Sequence, residues 1–159
     1  MSSAPSPLKL LLQGIDTIEC AYYLQLASDA NEQALNFQQL IALREELRNR
    51  KNKEPIVVKL GGVEFLLQPN GTKSGYPLVI SNQDFTIQMG EFNDPSFFVR
   101  FRSEALWRDS PQGLHERFLC WAESVGMVPY APEGLSRVDW AFDYWIEEID
   151  FDEDNCISL

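Results

Sequence analysis

Apolar positions recur with period two in several short stretches and at helical spacing in two longer ones, which predicts strands interleaved with two helices. A first strand is expected from about Ile15 to Leu24, with Ile18, Ala21 and Tyr23 among its candidates for burial. Ser28-Asp29-Ala30-Asn31 offers helix-capping side chains, and Leu35, Phe37, Leu40, Ile41 and Leu47 follow at helical spacing. The basic end of that helix, Arg44 to Lys53, suits a C-terminus, and Glu54-Pro55 breaks it. An antiparallel series comes next. Ile56 to Leu60 turns through Gly61-Gly62 into Val63 to Gln68, a strong hairpin signal. Tyr76 to Ile80, Phe85 to Met89 and Phe97 to Arg102 continue it. Ser110-Pro111 opens the second helix, whose stripe is Leu114, Phe118, Trp121, Ala122 and Val125, and Gly126 ends it.

The last strand carries the chemistry. In Ser136-Arg137-Val138-Asp139-Trp140-Ala141-Phe142-Asp143-Tyr144, alternation places Arg137, Asp139, Ala141 and Asp143 on one face. Val138, Trp140, Phe142 and Tyr144 take the other and can fill a core. Three charges on one side of a strand are costly to bury unpaired, so the pattern points to a hard-cation site or to a salt bridge between Arg137 and Asp139. In an ideal strand Asp139 and Asp143 stand about 13–14 Å apart, so one ion would need a bend to reach both. The fold class expected is α+β, a mostly antiparallel sheet with two helices packed on one face. The expected domain plan is a flexible leader over 1–13, a single domain over 14–146, and an acidic tail or truncated continuation over 147–159.

Composition narrows the class. Apolar and charged fractions of 45% and 23% are those of an ordinary globular protein. Cys20, Cys120 and Cys156 are widely spaced, which favours free thiols in a reducing compartment over a disulfide framework or a zinc site. Ser2 to Pro7 lacks the basic start of a signal peptide, and no apolar run approaches a membrane span, so a cytoplasmic protein without a membrane partner is expected. The net charge of -11 is uneven: from Glu133 to Leu159 nine acids face Arg137 alone. A DNA-binding domain usually shows the reverse balance, because phosphate neutralisation supplies much of its affinity.

The last strand, with Gly14-Ile15-Asp16-Thr17-Ile18, Leu60-Gly61-Gly62 and Phe65, Tyr76-Pro77-Leu78-Val79-Ile80, and Phe101-Arg102-Ser103-Glu104-Ala105-Leu106-Trp107, resembles in order the motifs of the rolling-circle replication initiation factors of plasmids, phages and integrative elements, a branch of the HUH-like nickases. Those proteins carry Ser-Arg-x-Asp followed four residues later by a second Asp. The resemblance implies the N-terminal part of an initiator, with Asp139 and Asp143 helping to bind Mg2+ or Mn2+, Arg137 in a supporting structural role, and DNA as partner. The family's nucleophilic tyrosine lies in an Arg-x-Tyr-x-Lys segment beyond this strand. That segment is not among the 159 residues, so no catalytic residue is assigned, and the chain alone is expected not to nick DNA.

Other charged positions are weighed against plainer meanings. Arg100 and Arg102 share a strand face and suit phosphate contacts, as do Arg48 and Lys51 in the one basic cluster; solvent-face pairing is the commoner meaning of such residues. His115, the only histidine, is expected on the polar side of its helix without a catalytic role. Asp150-Phe151-Asp152-Glu153-Asp154 opens like a calcium loop, but Asn155 replaces the required glycine. A second function fits the charge better. An acidic protein derived from such an initiator would imitate DNA and inhibit a basic nucleic-acid-binding host protein, such as a defence complex.

Overall fold

The computed structural model describes the backbone of residues 8–146 and the side chains of residues 15–139. Ten elements follow in order: β1 (Leu8–Leu26), α1 (Phe37–Arg48), β2 (Ile56–Leu60), β3 (Val63–Leu67), β4 (Leu78–Ser81), β5 (Phe85–Met89), β6 (Phe97–Phe101), α2 (Ser103–Arg108), α3 (Pro111–Ser124) and β7 (Met127–Ile146). The fold is α+β, as the hydrophobic pattern predicts. One seven-stranded sheet has the order β2-β3-β4-β5-β6-β1-β7, with antiparallel pairing from β2 through β6 and on to β1. The chain divides into two compact units, one of Ile15–Asp139 and one of Met1–Gly14 with Trp140–Leu159. In the second unit the described residues are the outer ends of β1 and β7, so strand begins at Leu8, within the stretch expected as a leader. The expected tail over 147–159 lies outside the described residues.

The larger unit keeps its core on one face of the sheet. Burial alternates along β4, β5 and β6, as period two requires when one face is covered. The covered face contributes Ile18, Cys20, Tyr22 and Leu24 from β1 and Phe97, Val99 and Phe101 from β6. Helix α3 lays Leu114, Phe118, Trp121 and Ala122 on it. Phe118 is the hub, its ring centroid 4.4 Å from Tyr22, 5.8 Å from Phe85 and 6.1 Å from Phe97. Phe37 of α1 meets Phe97 from the same side at 6.3 Å. Burying a large aromatic is worth about 1.5–3 kcal/mol, so this cluster anchors both helices to the sheet.

Local chemistry sets the boundaries. Helix α1 begins later than its first candidate caps. The Asn36 side chain accepts from the Gln39 amide at 3.0 Å, whereas residues 27–35 form turns tied to the α3 end by Leu35 N–H donating to the Val125 carbonyl at 2.8 Å. Helix α3 is capped as expected, with Ser110 Oγ accepting from Gly113 N–H at 2.9 Å and Pro111 in the first turn. The short α2 is a third helix where two were expected. It turns the chain after β6 and buries Ala105 and Leu106. His115 is not on a purely polar side: Tyr22 Oη lies 2.8 Å from its Nδ1, and its Nε2 lies 3.1 Å from Glu133.

Candidate functional site

The face of the sheet opposite α1 and α3 carries a continuous transverse row. Strand register aligns Val57 with Leu66, Leu66 with Ser81, Ser81 with Thr86, Thr86 with Arg100, and Arg100 with Glu19. Six strands at their usual spacing make this row roughly 24 Å long. Its character changes along its length. Val57 and Leu66 form an exposed apolar end, Ser81 and Thr86 are half-buried hydroxyls, and Arg100 is exposed. Beside the hydroxyls lies a shallow depression of about 420 Å³, whose lining includes Thr17, Ser81, Thr86, Arg100, Arg102 and Glu104.

Glu19 organises the charged end. Its Oε1 accepts from Arg100 Nη2 at 2.8 Å and from Arg100 Nε at 3.2 Å, and Arg137 Nη1 of β7 lies 3.6 Å away. Arg137 in turn meets Asp139, Nη2 to Oδ2 at 2.8 Å and Nε to Oδ1 at 3.2 Å. That two-point contact holds the Arg137 guanidinium more firmly protonated than usual. The alternation read from sequence holds here, since Arg137 and Asp139 share the open face while Val138 packs against the core. Glu133 reaches His115 of α3, on the covered side.

Of the two acids expected at a cation, Asp143 lies outside the described side chains. Both oxygens of Asp139 meet Arg137, Oδ2 at 2.8 Å and Oδ1 at 3.2 Å, so this acid stands in the ion pair that the sequence offered as the alternative to a cation site. Among the described residues no three acids, histidines or cysteines converge on one point. The arginine and lysine candidates divide between two surfaces. Arg100 and Arg102 flank the depression on the sheet, Arg102 donating through Nη1 to the Asn82 carbonyl at 3.0 Å. Arg48 and Lys51 sit at the end of α1, which covers the other face; Arg48 pairs with Glu45 at 3.5 Å and Lys51 is exposed. The residue missed by sequence reasoning is Glu19. Its signal was its place between Ile18 and Cys20, an acid on the strand face those core positions leave open.

Among the described residues the tyrosines are engaged elsewhere, and Tyr144 lies outside the described side chains. Tyr22 is buried, Tyr76 Oη donates to the Pro95 carbonyl at 2.8 Å, and Tyr130, stacked edge-on against Tyr23, donates to Asp94. The bond to Asp94 pushes the Tyr130 phenol up to about 12. Among the described residues no helix is long and apolar enough to cross a membrane. No family model, curated protein or solved structure matches the chain.

Proposed function

We propose that the chain is the N-terminal sheet of a rolling-circle-type DNA replication initiator and that its open face contacts DNA. The observation carrying this reading is the transverse row, which lines up Ser81, Thr86 and Arg100 on the sheet face opposite α1 and α3, with Arg137 reached through Glu19. Hydroxyls and guanidinium groups are the donors that phosphate oxygens accept from. Exposed Val57 and Leu66 extend the row with apolar surface.

A second reading draws on the ion pairs themselves. Arg100 and Arg137 are matched to Glu19 and Asp139, so much of the open face is neutralised before DNA arrives. That suits an acidic protein which mimics DNA and occupies the groove of a basic nucleic-acid-binding protein. A gel-shift with single- and double-stranded oligonucleotides at low salt separates the two. The initiator reading expects retarded DNA; no retardation, with displacement of DNA from a basic partner, establishes the mimic instead.

A further inference from the structure

Strand β2 ends the sheet on one side, with β3 as its one neighbour in the strand order. The two-residue turn makes Leu60 and Val63 a hydrogen-bonded pair, so Val58 and Ile56 also bond inward to β3. Val57 and Lys59 therefore direct their N–H and C=O groups away from β3, and among the described residues no turn, loop or side chain bonds to them. The Val57 side chain, 63% exposed, stands with Lys59 on the open face. Ile56, Val58 and Leu60 point to the helix-covered face and are only partly covered there. Four unpaired backbone groups beside apolar surface make a template for one more strand.

On the covered side this edge borders a groove of about 850 Å³ between β2 and α1. Its accessible apolar surface is Leu26, 39% exposed, with the partly exposed Leu43, Val58 and Leu60. Val58, Leu60 and the Gly61-Gly62 turn line the groove and Ile56 does not, so it lies toward the hairpin end of β2, where Glu32 and Glu91 also stand. The other end of β2 follows the loop that carries Lys51 and Lys53. Lys51, Lys53 and Lys59 are exposed and have no ion-pair partner among the described residues, whereas Arg48 and Arg50 are paired with Glu45 and Glu46. Residues 44–59 carry six basic side chains against three acids, in a chain whose net charge is -11. A strand running antiparallel to β2 would thus meet apolar surface first and free positive charge last.

We propose that the β2 edge takes up an extended acidic segment of a partner protein as an added antiparallel strand. Apolar residues at alternate positions enter the groove over Leu60 and Val58. An acid between them sits beside Lys59, and the acids that follow reach toward Lys53 and Lys51. Backbone bonds to Val57 and Lys59 supply affinity, while the groove and the lysines select the sequence.

Fluorescence anisotropy of a labelled Ile-Asp-Ile-Thr-Val-Asp-Glu-Glu peptide with the full chain tests this. Saturable binding is expected, weakened at least about tenfold when lysines replace the peptide's acids. N-methylation of the peptide threonine, whose N–H faces Val57 in this register, should weaken binding at least about fivefold; N-methylation of the second isoleucine, whose N–H faces away, should not. Both comparisons use the unaltered chain. Lys51→Glu combined with Lys53→Glu, two exposed positions, should weaken binding about two- to tenfold, with circular dichroism confirming the fold. No saturable binding at about 1 mM peptide, equal binding of the lysine peptide, or no difference between the two N-methyl peptides overturns the proposal. Absent peptide binding together with concentration-dependent dimers in sedimentation assigns the edge to a second copy instead. The assay contains no nucleic acid, so its failure and that of the gel-shift are read separately.

Discussion

At the scale of single residues, the charged side chain buried among the described residues is Asp84. Its two arginine partners, Arg108 and Arg117, are half-exposed, so on loss of the acid they would be taken up by water rather than stranded. Asp84→Ala should therefore cost about 1–3 kcal/mol, the worth of charge-assisted hydrogen bonds, and less than the loss of a fully buried pair. Urea unfolding of the variant measures it. Asp109 supplies a pH-dependent share. The Arg108 hydrogen bond, with Arg117 behind it, holds its carboxyl below the usual value. A lowered carboxyl stabilises the fold above its unfolded pKa of about 4, and that contribution disappears as pH falls through the folded value. Asp109→Asn should thus be less stable than the parent at pH 6, and the deficit should shrink as pH falls below about 4, read as urea midpoints across the series. Nothing in the alternation of apolar residues marked Asp84 or Asp109. Their partners lie 24 and 33 residues away from Asp84 in sequence, and only the packing of α2 and α3 against the β4–β5 turn brings them together.

Among the elements, the β2–β3 hairpin was the most legible, and its turn explains why. Leu60 pairs with Val63, so Gly61 and Gly62 form a two-residue loop, with φ of +59° and +77°. Both angles lie where a side chain is strained, the type I′ geometry that suits the twist of paired strands. The two glycines differ in surroundings. A Cβ on Gly61 would lie 2.4 Å from Ser124 Oγ and 2.9 Å from Val125 Cγ1, whereas one on Gly62 would meet nothing within 4 Å. Gly62→Ala should cost about 1–2 kcal/mol, the backbone strain alone. Gly61→Ala should cost more, because α3 must also yield; thermal unfolding of both variants tests the order. Elements with local signals were read correctly for the same reason: Ser110-Pro111 opening α3, the alternation in β5 and β6, and the Arg137–Asp139 face of β7 are set by neighbours in sequence. The start of α1 differs from its local capping signal because it is not decided locally. Ser28-Asp29-Ala30-Asn31 has the right side chains, but Leu35 and Ala27 are tied to Val125 and Gly126 beyond α3, and that tether holds residues 27–35 in turns. Helix α2 has no signal of its own in the sequence, because six residues following a strand are too few to show a helical period.

For the molecule as a whole, the question is how a chain of net charge -11 would approach a polyanion. Long-range repulsion would slow association, and Glu19 adds a local cost, since DNA must compete with it for Arg100 and Arg137. Binding at the open face would exchange one set of ion pairs for another, and the carboxylate of Glu19 is the group that makes the exchange expensive. Glu19→Gln keeps the shape and an acceptor for Arg100 but removes the charge. If the open face binds DNA, this variant should bind about 1.5- to fivefold more tightly at low salt, the scale of a partly exposed ion pair. Arg100→Gln should do the opposite, and should flatten the dependence of log K on log salt by about 0.7–0.9, one phosphate contact's worth. Fluorescence anisotropy across a salt series would read both effects from one set of samples. The DNA-mimic reading requires another pattern: neither variant alters DNA binding, and Glu19→Gln, one negative charge poorer, weakens attachment to a basic partner. The sign of the Glu19 effect therefore decides whether the carboxylate guards a DNA-binding surface or forms part of an imitation of DNA.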